Sequence, residues 1–175
     1  MNLERKNRVF EILVFRLIDW YCNSSSRPSL ESFTKLKLQK LLFLVSAVNA
    51  TIDHRGLLKV FDNFYAMPYG PVESDIYNTM IRDGFDHISF LNDYIEIKGQ
   101  LNTNGFDCEK ALIEKAILSL QDINPQLIHY TAAQLVEITH KWTSWKYAFE
   151  IANLLGKGSA KMDIDSICND YKIYE

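Results

Sequence analysis

The segment from Thr34 to Ile52 constrains the fold most. Leu38, Leu41, Leu42, Val45, Val48 and Ile52 recur at helical spacing over about five turns. Phe43 and Leu44 add apolar surface beside that stripe, and Thr34 is placed to cap its start. A helix that is apolar over more than half of its circumference has to be packed by neighbours on several sides. The chain is therefore expected to build its other elements around this one.

Those elements are mostly helical by the same test. Residues 4–22 carry Phe10, Leu13, Val14, Leu17, Ile18 and Tyr21 on one stripe and stop at the polar run Asn23–Pro28. Tyr69-Gly70-Pro71-Val72 reads as a helix start, with Gly70 as the cap and Pro71 in the first turn. Val72, Ile76, Tyr77 and Met80 then continue the helix to Asp83-Gly84. Further helices are expected over 108–122, with Asp107 as cap, over 126–139, with Thr131 as cap, over 142–155, and in a short piece within 162–171. The one β candidate is a hairpin near 88–98, where Ile88 and Phe90 face Tyr94, Ile95 and Ile97 across Asn92-Asp93. The expected fold is mainly α, of the α+β class: a single multi-helix domain over 1–175 with one small hairpin.

Composition excludes several classes. With 175 residues and 47% hydrophobic content, the chain can bury a core without a disulfide or metal staple. Cys22, Cys108 and Cys168 are odd in number and show no ligand spacing, which reads as free thiols. No apolar run reaches the roughly 18 residues of a membrane span, and no signal peptide is seen, so a cytoplasmic location with no membrane partner is expected. The net charge of -3 gives no global pull toward nucleic acid. It is unevenly spread: residues 1–40 net +4 and residues 56–100 net -4.

Motifs for catalysis are lacking. There is no GxSxG, no Walker loop and no GxGxxG, and Gly156-Lys157-Gly158-Ser159 is more simply a helix-ending turn. Glu137 and His140 share a helix face, but a di-iron site needs two such motifs and two more carboxylates. The chain is expected to be no enzyme and to use no metal or cofactor. Lys35, Lys37 and Lys40 cluster at the start of the central helix, where they oppose its dipole. A solvated face, an acidic protein surface and nucleic acid are all open readings of that cluster. The aromatic run Phe61–Val72 is either core or a protein-binding patch.

Three strings carry a resemblance. Thr34-Lys-Leu-Lys-Leu-Gln-Lys-Leu-Leu-Phe43 resembles the "KLQKLLY" helix of the SocA-like antitoxin family, also called the Panacea domain. Phe64-Tyr-Ala-Met-Pro-Tyr-Gly-Pro-Val72, followed by Ile76-Tyr77, resembles its "A-W-x-x-G-P-V" segment, with Met67 where Trp is common. Leu135-Val-Glu-Ile-Thr-His140, with Trp142 or Trp145, looks like its third element, so the likeness spans 34–150.

The resemblance implies a helical domain that neutralises a cognate protein toxin, encoded by an adjacent gene, by direct binding. One branch of the family delivers its toxin to a cellular protease, and relatives occur in phages, where a regulatory role without a toxin is the alternative. A homo-oligomer is a further possible assembly. Nucleic-acid binding by this chain alone is disfavoured, since the first ~30 residues form a single helix and no helix-turn-helix. The candidate partner-binding residues are Lys35, Lys37, Lys40, Tyr69, Gly70, Pro71, Val72, Tyr77, His140 and Trp142.

Overall fold

The computed structural model describes residues 1–90 and 92–175. It is α+β and mainly helical, with seven α-helices and two small antiparallel sheets among the described residues. Helix α1 (Leu3–Ser24) packs on α4 (Asp107–Ile123) and α3 (Ser74–Ile81). Helix α2 (Lys35–Ala47) is the centre: α4, α5 (Ala132–His140), a 3-10 turn at Gly56–Lys59 and strand β2 (Gly70–Glu73) all pack on it. Every residue of α2 from Lys37 to Ala47 is buried, as its all-round apolar surface requires.

Helix α2 is shorter than its apolar period implies. It ends at Ala47, and Ile52 is an exposed residue of the loop that follows. Thr34 caps its start, accepting from the Lys37 amide. Thr131 likewise caps α5, in a reciprocal box with Gln134. Asp107 is the first residue of α4 and makes no side-chain cap. Of residues 126–139, the first few form a 3-10 turn, and the last helix, α7, covers Ile164–Asn169.

The hairpin expected near 88–98 is present as β3 (Ile88–Ser89) and β4 (Glu96–Ile97). It is not the only β structure. Strands β1 (Phe64–Met67) and β2 form a second hairpin, and β5 (Ala160–Lys161) joins it in the order β2-β1-β5. The helix expected to start at Pro71 begins at Ser74, with Glu73 as its cap. Proline is compatible with either role, because it fixes φ and removes a donor that an edge strand can spare. This sheet lies between α2, which packs on β2, and α6 (Thr143–Leu154), which packs on β1 and β5. Phe43 joins the layers, with ring centroids 5.4 Å from Phe64 and 4.8 Å from Trp142.

The charge separation along the sequence cancels in space. Lys6 bonds Asp62, Glu73 and Asp75, while Arg8 pairs with Asp86. The basic start of the chain is thus folded onto the acidic stretch.

Candidate functional site

The β1–β2 hairpin turns at Pro68-Tyr69, with Gly70 at φ +92. In its register Met67 faces Gly70 and Tyr65 faces Val72, and the Ser74 amide donates to the Asn63 carbonyl. Antiparallel ladders alternate, so Gly70 and Val72 bond to β1 while Pro71 and Glu73 turn their main chain the other way. Strand β2 is an edge, and these outward groups are buried against α2. A buried main-chain group needs a partner.

Two adjacent side chains of α2 supply the partners. The Lys40 ammonium donates to the Pro71 carbonyl at 2.7 Å, and the Gln39 Oε1 accepts from the Glu73 amide at 2.9 Å. Helix side chains therefore stand in for the missing neighbouring strand. Gln39 also directs its amide to the Met80 sulfur, 3.6 Å away. Lys40 is fully buried and has no carboxylate partner among the described residues, and burial lowers its pKa to about 7.

Helix α5 closes the other side. A Cβ placed on Gly70 would lie 2.7 Å from Thr139 Oγ1 and 3.2 Å from Lys40 Cε, so only glycine fits under this contact. His140 meets the Pro68 carbonyl and stacks on Trp145, with centroids 3.9 Å apart. Burial and the neighbouring Lys40 hold its pKa below the usual imidazole value. Its Nε2 is buried and has no hydrogen-bond partner among the described residues. Trp145 donates from its indole to the Met67 carbonyl at 3.1 Å.

Below the hairpin, the fully buried Glu73 carboxylate caps α3 through the Ile76 amide and accepts from Lys6 at 3.0 Å. Burial alone would lower the Lys6 pKa, but its bonds to Asp62, Asp75 and Glu73 outweigh that and raise it. The carboxylates of Asp62, Glu73 and Asp75 lie close enough to hold a cation, and the Lys6 ammonium is that cation. Arg8 does the same for Glu11, Asp86 and His87.

The predicted site residues fall into three groups. Lys40, Gly70, Pro71, Val72 and Trp142 are buried. Lys37 is also buried, with its ammonium 5.1 Å from the Phe33 ring and 5.6 Å from Tyr21. The solvated lysine face is thus corrected for Lys37 and Lys40; only Lys35 is partly open, 3.7 Å from Asp93. Trp142 packs on Phe43 and donates to the Ile173 carbonyl, so Trp145 and not Trp142 sits against the turn. His140 is half-buried beside the turn, and its expected helix-face partner Glu137 is exposed. Tyr69 and Tyr77 reach the surface, Tyr69 with 69% of its area exposed at the hairpin tip.

The lysine–glutamine clamp, the Gly-Pro-Val strand and the Thr-His end of α5 thus form one structural unit. All of them lie within residues 38–146, the span that matches the family model "Antitoxin SocA-like, Panacea domain". The chain belongs to that family. No curated protein and no solved structure matches it. In this Panacea domain the motif residues build a rigid base, and Tyr69 is what the base holds out. Among the described residues, no helix is long and apolar enough to cross a membrane.

Sequence reasoning named Gln39, Thr139 and Trp145 only within the family strings, not as site residues, and gave Glu73 and Lys6 no place in this unit. Gln39 carried a signal: a glutamine between two lysines on a helix packed on all sides has to bond something buried. Lys6 carried none, since its three acids are 56, 67 and 69 residues away.

Proposed function

We propose that this Panacea domain is an antitoxin that binds and neutralises a protein toxin encoded by an adjacent gene. The match over residues 38–146 carries this reading. The role is binding without catalysis, in the cytoplasm, with no metal or cofactor. Three charged groups of the hairpin unit are engaged in holding it: Lys40 on Pro71, Lys6 among its acids, Glu73 on the helix it caps. Tyr69 is the contact residue, because a tyrosine on a rigid turn offers a large contact area at little entropic cost.

The test is co-induction. The neighbouring gene product is expressed alone and then with this protein, and growth and co-purification are followed. Arrest by the neighbour, rescue by this chain and a stable complex support neutralisation. Rescue accompanied by loss of the neighbour protein points to delivery to a protease. A harmless neighbour that does not co-purify overturns the reading.

A further inference from the structure

A cleft of about 370 Å³ lies between the end of α2, the 3-10 turn at Gly56–Lys59 and α4, away from the hairpin unit. Its size falls at the small end of the roughly 300–1,000 Å³ typical of ligand sites. Val45, Leu57 and Ala116 form a buried apolar floor. The rim carries His54, Lys59 and Lys115, all exposed, and no carboxylate lines the cleft.

Arg5, Lys6, Arg8, Arg16 and Arg55 are matched to acids elsewhere on the molecule. Lys59 and Lys115 make no ion pair among the described residues. Asn49 lines the same cleft: its Oδ1 accepts from Ser119, while its Nδ2 is a buried donor without a partner among the described residues. Apolar floor and basic rim together complement an apolar side chain next to a carboxylate.

We propose that this cleft receives an acidic–apolar segment of the protein partner, with the apolar side chain on the floor and the carboxylate between Lys59 and Lys115. The proposal rests on the reading that this chain binds a protein. An exposed ion pair contributes little on its own, so a free small acid would be held weakly. A segment tethered to a partner already docked elsewhere gains from its high effective concentration.

The test titrates the isotopically labelled protein with acetyl-Asp-Leu-Leu-Asp-amide, with its Asn-for-Asp counterpart, and with hexanoate, following amide resonances. Saturable shifts at Val45, Leu57 and Ala116 with the acidic peptide are expected, at least fivefold weaker with the Asn peptide and lost in folded Lys59→Glu/Lys115→Glu. No shifts there, equal shifts with both peptides, or hexanoate binding as tightly as the acidic peptide overturns the proposal. The same double variant is then measured against the neighbouring gene product, where at least a tenfold rise in Kd is expected. Unchanged binding by the double variant sinks the cleft and leaves the antitoxin reading standing. Absence of binding by the wild-type chain sinks the antitoxin reading, and the peptide titration alone then decides the cleft.

Discussion

Lys40 donates to the Pro71 carbonyl at 2.7 Å from a fully buried position, and no acid among the described residues balances its charge. Its pKa is lowered to about 7 from the ordinary 10.5. Between those values the unfolded chain binds one proton more than the folded chain, so stability rises with pH across that window. The slope approaches about 1.4 kcal/mol per pH unit for one such group. Lys37, lowered to about 8, adds to it at higher pH. Urea unfolding from pH 7 to 9.5 is expected to show this rise, and Lys40→Met is expected to flatten it, most clearly between pH 7 and 8. Parallel curves for wild type and variant would contradict an uncompensated buried lysine.

Gln39 is the second half of the clamp. Gln39→Leu leaves the buried Glu73 amide without its acceptor. An orphaned buried donor costs about 1–3 kcal/mol. Chemical denaturation is expected to give that loss, and amide exchange at Glu73 should quicken by a larger factor than exchange in the core of α2. An unchanged exchange rate at Glu73 would mean that the strand edge has another partner.

Gly70 is fixed by both conformation and space. Gly70→Ala meets a positive φ and a contact of 2.7 Å to Thr139 Oγ1. The expected loss is about 2–3 kcal/mol. Thr139→Ala removes the clash but not the φ strain, so the double variant should recover about 1 kcal/mol relative to additivity. Additive losses would show that the backbone angle alone decides.

Lys6 holds three carboxylates together. Lys6→Met leaves Asp62, Glu73 and Asp75 facing one another with Glu73 fully buried. Removing one partner of a buried ionic group costs about 3–5 kcal/mol. The pH response should also change. In the wild type the Asp75 pKa is lowered, with hydrogen bonds from Lys6 and Asn63 outweighing its burial, so its contribution is lost only at pH below the ordinary carboxylate range. Burial raises the Glu73 pKa, and its bond to Lys6 holds that rise in check. In the variant the crowded acids hold protons more readily, so the change in melting temperature on going from pH 7 to pH 5 should be more positive than in the wild type. Parallel pH responses of the two proteins would refute the assignment.

What the sequence made legible follows from the range of each interaction. The central helix, the Thr34 and Thr131 caps and the 88–97 hairpin rest on neighbours within a few residues, and periodicity reads them. The β1–β2 strands were not legible, since Phe64–Met67 is only four residues long and Pro71 satisfies a helix start equally well. The lysines show the deeper gap. A helix apolar on every side leaves no solvated face for Lys37 or Lys40, but what they would bond depended on a strand not visible in the sequence. The third element was read at the right place with its tryptophan left open between Trp142 and Trp145; the fold puts Trp145 against the turn and Trp142 in the core, a choice that depends on the β1–β2 hairpin.

The burial of Lys37 and Lys40 also changes how partner binding has to be tested. Reversing their charge would place two carboxylates in the core, so loss of function in Lys37→Glu/Lys40→Glu would report unfolding. Tyr69 is the informative position. It is 69% exposed, and the turn that carries it is held by Gly70, Trp145 and His140 rather than by its own ring. Tyr69→Ala is therefore expected to keep the wild-type melting temperature within about 2 °C, as surface substitutions do. A tyrosine at an interface centre is worth about 2 kcal/mol or more, so affinity for the neighbouring gene product should fall by roughly thirtyfold or more and growth rescue should fail. Tyr69→Phe should retain most of the affinity if ring burial dominates. Full rescue by a folded Tyr69→Ala would move the interface away from the hairpin tip.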